Sequence, residues 1–214
     1  IPSQATWFHV DAAQGFGKQL QPLKHPRIDL ISVSGHKVHG PQGIGALIAR
    51  RRQGQLPPLS PLLVGGGQEM GLRPGTLPVA LIAALGLASE LAVAEHEARE
   101  RVCRTIQTRV WEQLAPLRPV RHGDESLTLP HVLNVSFPDW DSEQIIEALW
   151  DIAAVSDGAA CTSICATASH VLTAMVLPAA CVQGGVRLSW SSQSHPQRVE
   201  QTIEQVVERL RHGC

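Results

Sequence analysis

The chain contains no tyrosine, an absence that says nothing about function. It also lacks an excess of either charge: 18 lysines and arginines stand against 19 aspartates and glutamates, for a formal net charge of -1. That balance makes no electrostatic case for direct binding of nucleic acid or of an anionic membrane. No apolar run approaches the roughly 18 residues a membrane-crossing helix requires, and the opening residues do not read as a signal peptide. Paired cysteines are missing too. Cys103, Cys161, Cys165, Cys181 and Cys214 are odd in number and irregular in spacing, which argues against a disulfide framework and for a reducing cytoplasm. The CxxxC spacing of Cys161 and Cys165 has no second pair to complete a zinc site, so no metal is expected. Finally, residue 1 is not Met and lies just before a strand with no upstream element. The sequence therefore reads as the carboxyl-terminal portion of something longer.

What is present begins with strand patterning. An apolar segment, Trp7 to Val10, ends at Asp11, and a β-branched run, Ile28 to Val33, ends just before Ser34-Gly35-His36-Lys37. Strand, crossover, strand suggests a parallel pair, and ligands of such sheets sit off the carboxyl ends of the strands. A third run, Ile44 to Ala49, follows the turn Gly40-Pro41-Gln42-Gly43 as an antiparallel neighbour. Residues 78–114 read as one long helix, with Thr76 a candidate cap and Pro78 at an early helical position. Its first part, Leu77 to Ala94, is apolar almost all round and so is expected to be buried; charges dominate from Glu95 onward. That shift predicts a domain boundary near residue 96, giving domains 1–96 and 97–214. The second part reads as α+β: strands over 130–137, 153–156 and 185–190, and helices over 141–150, 169–176 and 195–211, the first with Asp141 as its cap.

Several residues could carry chemistry. Lys37, among glycines between two apolar runs, is either a solvated turn lysine or an amine held for Schiff-base chemistry. Asp11 either caps the following turn or pairs with a protonated ring nitrogen, as pyridoxal phosphate requires; Gln14 is close enough in sequence to face the same pocket. His36 could exchange protons beside Lys37. Arg187, alone on an apolar strand, needs an anion, met either by a substrate carboxylate or by a structural salt bridge. Cys161 lies among small residues with no bulky shield, which suits a nucleophile; Cys165 could be its resolving partner, while Cys103 and Cys181 suit packing roles. The basic triplet Arg50-Arg51-Arg52 reads as a nucleic-acid contact or, more simply, a solvated strand end.

Taken together in order, these segments resemble the cysteine desulfurases of the class V aminotransferase-like proteins. His9-Val10-Asp11-Ala12-Ala13-Gln14 is similar to the segment carrying the pyridinium aspartate and a glutamine near the cofactor's phenolic oxygen. Ser34-Gly35-His36-Lys37 resembles the Schiff-base lysine motif, in which the serine binds cofactor phosphate. Gly65-Gly66-Gly67-Gln68-Glu69 with Arg73-Pro74-Gly75-Thr76 resembles the segment whose threonine reaches the partner subunit's phosphate. Ser156 to Ser163 is similar to the loop with the sulfur-accepting cysteine, here Cys161. Val186-Arg187-Leu188-Ser189 resembles the site that holds the substrate carboxylate.

The resemblance implies a type I pyridoxal phosphate transferase fold: a partial α/β large domain with a mixed sheet in residues 1–96 and a smaller α+β domain carrying the cysteine loop. It implies conversion of L-cysteine to L-alanine with a persulfide on Cys161. It further implies a homodimer and a sulfur-acceptor protein serving iron–sulfur cluster assembly, tRNA modification or DNA modification. Residues 185–190 resemble desulfurases that supply DNA phosphorothioation. The family's amino-terminal half, with a histidine stacked on the cofactor ring, has no counterpart in this sequence. The alternatives are a selenocysteine lyase or another class V relative, in which Cys161 would be dispensable, and a cofactor-free binding or scaffold module.

Overall fold

The protein is described by a computed structural model covering residues 6–137, 139–157 and 169–212. It divides into two compact units, Ile1–His96 and Glu97–Cys214. The first carries a three-stranded mixed sheet. β1 (His9–Asp11) pairs in parallel with β2 (Leu30–Ser34), which pairs antiparallel with β3 (Gly45–Ala49). Parallel pairing obliges the chain to cross back between the strands, and the intervening segment does so in turns and a short 3-10 helix, Pro22–Lys24.

This crossover is drawn tightly against its neighbours. Gly17 has φ +73°, and a Cβ built on it would lie 2.9 Å from Ala92 Cβ and 3.2 Å from Val38 Cγ1. Glycine is thus required there by conformation and by space. Ala92 belongs to the helix α1 (Val79–Ala94), and Ala88, one turn earlier, approaches Gly40 closely enough to leave 3.3 Å for a Cβ. Small residues at i and i+4 let α1 seat the turn that follows β2.

The amino ends of the strands are held by charge. Asp29 is 2% exposed and accepts from the backbone N–H of Phe8, from Arg27 and from two nitrogens of Arg52. Arg52 also lies over the Trp7 ring, 4.4 Å from its centroid, a favourable cation–π geometry. Within the basic triplet, Arg52 is therefore not a free strand end, because that side chain folds back to neutralise a buried carboxylate. Arg50 and Arg51 donate to the carbonyls of Pro26 and Gly54.

The second unit is a four-stranded antiparallel sheet in the order β4 (Val120–Arg121), β5 (Val132–Ser136), β7 (Gly185–Ser189), β6 (Ser156–Asp157). Alternation along the two central strands sends Leu133, Val135, Val186 and Leu188 to one face. There they meet Ile106, Val110 and Leu114 of α2 (His96–Leu114), Ile145 and Ala148 of α3 (Ser142–Ala148), and Ile203, Val206 and Leu210 of α6 (Pro196–His212). α3 begins in a capping box: Asp141 accepts from the Gln144 N–H and Gln144 from the Asp141 N–H, satisfying two otherwise orphaned donors. α4 (His170–Ala174) and α5 (Ala179–Gln183) complete the described elements.

Three expectations are corrected. The single long helix is two, α1 and α2, parted at Glu95, whose φ -101° and ψ 7° leave the helical region. Thr76 does not cap α1; Pro78 occupies that position without a side-chain bond. Nor is the apolar length of α1 buried: Ala88 and Ala92 are, while Val79, Leu87 and Val93 are 71%, 57% and 60% exposed. A helix apolar on every side needs cover on every side, and the described residues supply it along one stripe. The same holds for β3, where Leu47 and Ile48 point to opposite faces and are both exposed. Among the described residues, no single helix is long and apolar enough to cross a membrane.

The Asp29 cluster yields a pH dependence. Hydrogen bonding from Arg52 above all, then from the Phe8 N–H and Arg27, lowers the Asp29 pKa from 3.8 to about 2 against the opposing effect of burial. A depressed carboxylate pKa stabilises the fold above the unfolded value, and this stabilisation is lost as pH falls through the folded one. Stability should therefore drop between about pH 4 and pH 2, and Asp29→Asn should flatten that part of the curve while lowering the melting temperature at neutral pH. Thermal unfolding followed from pH 2 to 7 checks both; an unaltered acid limb would contradict the assignment.

Candidate functional site

Because β1 and β2 are parallel, their carboxyl ends lie side by side. The register pairs His9 with Leu30 and Asp11 with Ser32. Alternation then places His9, Asp11, Ser32 and Ser34 on one face, a polar row on an otherwise apolar pair of strands. His9 Nε2 and Ser32 Oγ share a 3.0 Å hydrogen bond across it. Asp11 ends β1, exposed, and its Oδ1 accepts from the Ala13 N–H at 3.0 Å. The turn-capping reading of Asp11 is thus observed, on one carboxylate oxygen.

Beyond Ser34 the chain enters a 3-10 turn, Gly35–Val38. Such a turn rotates the chain by a third of a circle per residue, so burying Val38 (3% exposed) directs His36 and Lys37 outward. Both are exposed. Of the two readings of Lys37, the exposed side chain is the one expected of a turn lysine, and β3 offers no cover on that side among the described residues. The turn is nevertheless well fixed. Ser34 Oγ and His36 Nδ1 are 3.0 Å apart, and His39, at φ 67°, closes the turn by donating its N–H to the Gly35 carbonyl.

A residue not singled out by the sequence reading joins the two strand ends. Lys18 Nζ donates to the Lys37 carbonyl at 3.1 Å and to the Gln14 carbonyl at 3.3 Å. Gln14 itself is exposed. Thr76, also exposed, follows the buried Pro74 and the exposed Gly75, whose N–H donates to Gln68 Oε1 at 3.1 Å. The 3-10 turn Gln68–Gly71 contains two non-glycine left-handed residues, Glu69 at φ 51° and Met70 at φ 57°.

In the second unit Arg187 is half-buried at the centre of β7, with Asn134 and Ser156 as its cross-strand partners on either side. Its Nη2 donates to Ser156 Oγ at 3.4 Å. Among the described residues no carboxylate pairs with it, so the salt-bridge alternative is not realised there and the guanidinium keeps capacity for an anion. Beside it on the same sheet, His122 is buried and held by Asn134 Oδ1 at 2.6 Å and Ser136 Oγ at 3.1 Å. The sequence reading overlooked this polar row, although Asn134 and Ser136 alternate with apolar residues along β5. Cys103 is buried and Cys181 half-buried. Cys161 and Cys165 lie outside the described residues.

Comparison with known proteins bears on this arrangement. The family model for aminotransferase class-V matches residues 1–201. The chain is 39% identical over 213 residues to a protein named cysteine desulfurase IscS from Pectobacterium carotovorum, covering 98% of this chain and 52% of the relative. It is 37% identical over 214 residues to the mitochondrial cysteine desulfurase of Drosophila melanogaster, covering 98% of this chain and 46% of that one. Among solved structures, a NifS-like protein superposes with a TM-score of 0.83 at 31% identity, over 97% of this chain and 53% of that one. DndA from Streptomyces lividans superposes with a TM-score of 0.73 at 40% identity, over 87% and 52%. The fold is accordingly part of the type I pyridoxal phosphate transferase fold. The chain spans about half the length of the curated relatives it matches.

The Ser34–His36 contact can be probed directly. Ser34→Ala should move the His36 imidazole nitrogen resonances while the other histidines keep theirs, at a stability cost of about 1 kcal/mol or less for one exposed hydrogen bond. A His36 signal unchanged by nitrogen NMR would show that the pair does not form in solution.

Proposed function

Since the chain belongs to the aminotransferase class-V family, we propose that it serves a pyridoxal phosphate-dependent cysteine desulfurase, converting L-cysteine to L-alanine and leaving the sulfur as a persulfide on Cys161. The observation that carries this reading is the juxtaposition of Asp11 and the Lys37 turn at adjacent parallel strand ends, in a chain 39% identical to a protein of that name.

The residues present fit the cofactor. A carboxylate, a hydroxyl, an imidazole and a primary amine belong to residues at one end of β1 and β2. Family members use pyridoxal phosphate, which when bound supplies an electron sink for bonds at the substrate α-carbon. Asp11, an ionised acceptor, would hold a proton on the ring nitrogen. Lys37 Nζ would bear the cofactor at rest and, once released, carry the proton at the α-carbon, with His36 assisting. Ser34 and Thr76 would hold phosphate, and Gln14 would face the ring's phenolic oxygen. Arg187 would bind the substrate carboxylate. The Cys161 thiolate would attack the substrate sulfur: an S–S bond forms as the Cβ–S bond breaks, the carbon keeps that electron pair and is protonated, and alanine departs. The two sulfurs are oxidised to the persulfide as the carbon is reduced, so no outside oxidant is needed. Residues 1–96 would then be the carboxyl-terminal part of the cofactor-binding domain and 97–214 the small domain. We assign the protein to a homodimer in the cytoplasm, handing sulfur to an acceptor protein.

Two measurements test the reading. Borohydride reduction after incubation with pyridoxal phosphate should leave a pyridoxyl group on Lys37 by peptide mapping, and Lys37→Ala should abolish it; label spread over surface amines instead would reject the assignment. Cys161→Ser should lower sulfide release from L-cysteine by at least 100-fold with the Lys37 label intact, whereas undiminished release would point to a class V relative that does not use this thiol.

A further inference from the structure

The chain has three lysines, Lys18, Lys24 and Lys37, against fifteen arginines. Two of the three meet. One ammonium, on Lys18, spans the carbonyls of Lys37 and Gln14, so a single side chain joins the turn after β2 to the connection after β1. The backbone beneath it is fixed as well. The Lys18 carbonyl lies 3.0 Å from His96 Nε2; a carbonyl only accepts, so that nitrogen carries the proton. Next to it, Gly17 packs between Val38 and Ala92 with no room for a side chain. Lys18 is half-buried rather than waving in solvent. An ammonium is a compact cation with three rotatable donors, suited to two carbonyls from different segments; a guanidinium carries its donors in one rigid plane.

We infer that Lys18 is a positioning residue for Lys37: by tying the Lys37 carbonyl to that of Gln14, it sets the spacing between the strand ends that carry Lys37 and Asp11. This rests on the reading of Lys37 as the cofactor-bearing amine. It acts through the backbone and touches neither substrate nor cofactor.

The test compares the whole wild-type chain with Lys18→Met, which keeps the stem and removes the donors, and Lys18→Arg, which keeps the charge but displaces them. The first readout is amide hydrogen exchange without cofactor. The N–H groups of His39 and Gly40, both bonded to the Gly35 carbonyl, should exchange at least fivefold faster in Lys18→Met, with Lys18→Arg intermediate and the β2 interior unchanged in both. The second is borohydride-fixed label on Lys37 at limiting pyridoxal phosphate, which should fall at least fivefold in Lys18→Met. Unchanged exchange at His39 and Gly40 overturns the inference. So does faster exchange with undiminished label, because the tie would then matter to the turn and not to the amine. If Lys18→Met unfolds, Lys18→Arg decides, and wild-type exchange at both amides in a folded Lys18→Arg overturns the inference. A wild-type chain that takes no label on Lys37 instead overturns the cofactor reading, whatever the exchange rates.

Discussion

Parallel strands cannot be joined by a tight hairpin, and that constraint shapes the first unit. β1 and β2 must be linked by a segment that travels back the full length of the sheet, and the return path is paid for in close packing. Gly17 supplies the positive φ and the missing side chain that let the path lie against Val38 and Ala92. In exchange, both carboxyl ends emerge on the same edge, and Asp11 and the Lys37 turn become neighbours although 26 residues separate Asp11 from Lys37. An antiparallel arrangement of the same two strands would have put them at opposite ends of the sheet.

The second unit solves a different problem. Its arginine sits on a central strand, where both edges of the backbone are committed to neighbours and the side chain can leave only from the face. One face is filled by three helices packed on alternating apolar residues. The other carries His122, Asn134, Ser136, Ser156 and Arg187, each with a polar partner or a place in the cross-strand row. A guanidinium mounted this way has its orientation set by strand pairing rather than by an opposing carboxylate, so its charge is held in place without being cancelled.

Much of this was legible in the amino-acid sequence. The parallel pairing of β1 with β2, the antiparallel β3, the Asp141 cap and the strand bearing Arg187 follow from alternation, turn residues and capping chemistry, all of which act over a few residues. What was not legible depends on contacts between distant segments. Residues 78–114 are helical on both sides of Glu95, and local propensity cannot see the break. Apolar character predicts that α1 should be covered, but only neighbouring surfaces decide whether it is. Arg52 looked like one member of a basic triplet; its role comes from Asp29, which is 23 residues away and gives no local sign of being buried. Lys18 escaped for the same reason, its partners being backbone carbonyls, which every residue possesses. The rarity of lysine in the chain was the one available hint.

The Asp29 cluster lies at the amino ends of β1 and β2, a strand's length from the Lys37 turn, or roughly 15 Å at about 3.3 Å per residue. One end of the sheet is thus clamped by ions and rings, while the other ends in turns held by hydrogen bonds and close packing. This division gives the two ends different latitude for change over time. At the clamped end, Asp29 answers to Arg27, Arg52 and the Phe8 N–H at once, so a change there falls first on the clamp itself. At the open end, any replacement is felt by the reactive groups themselves.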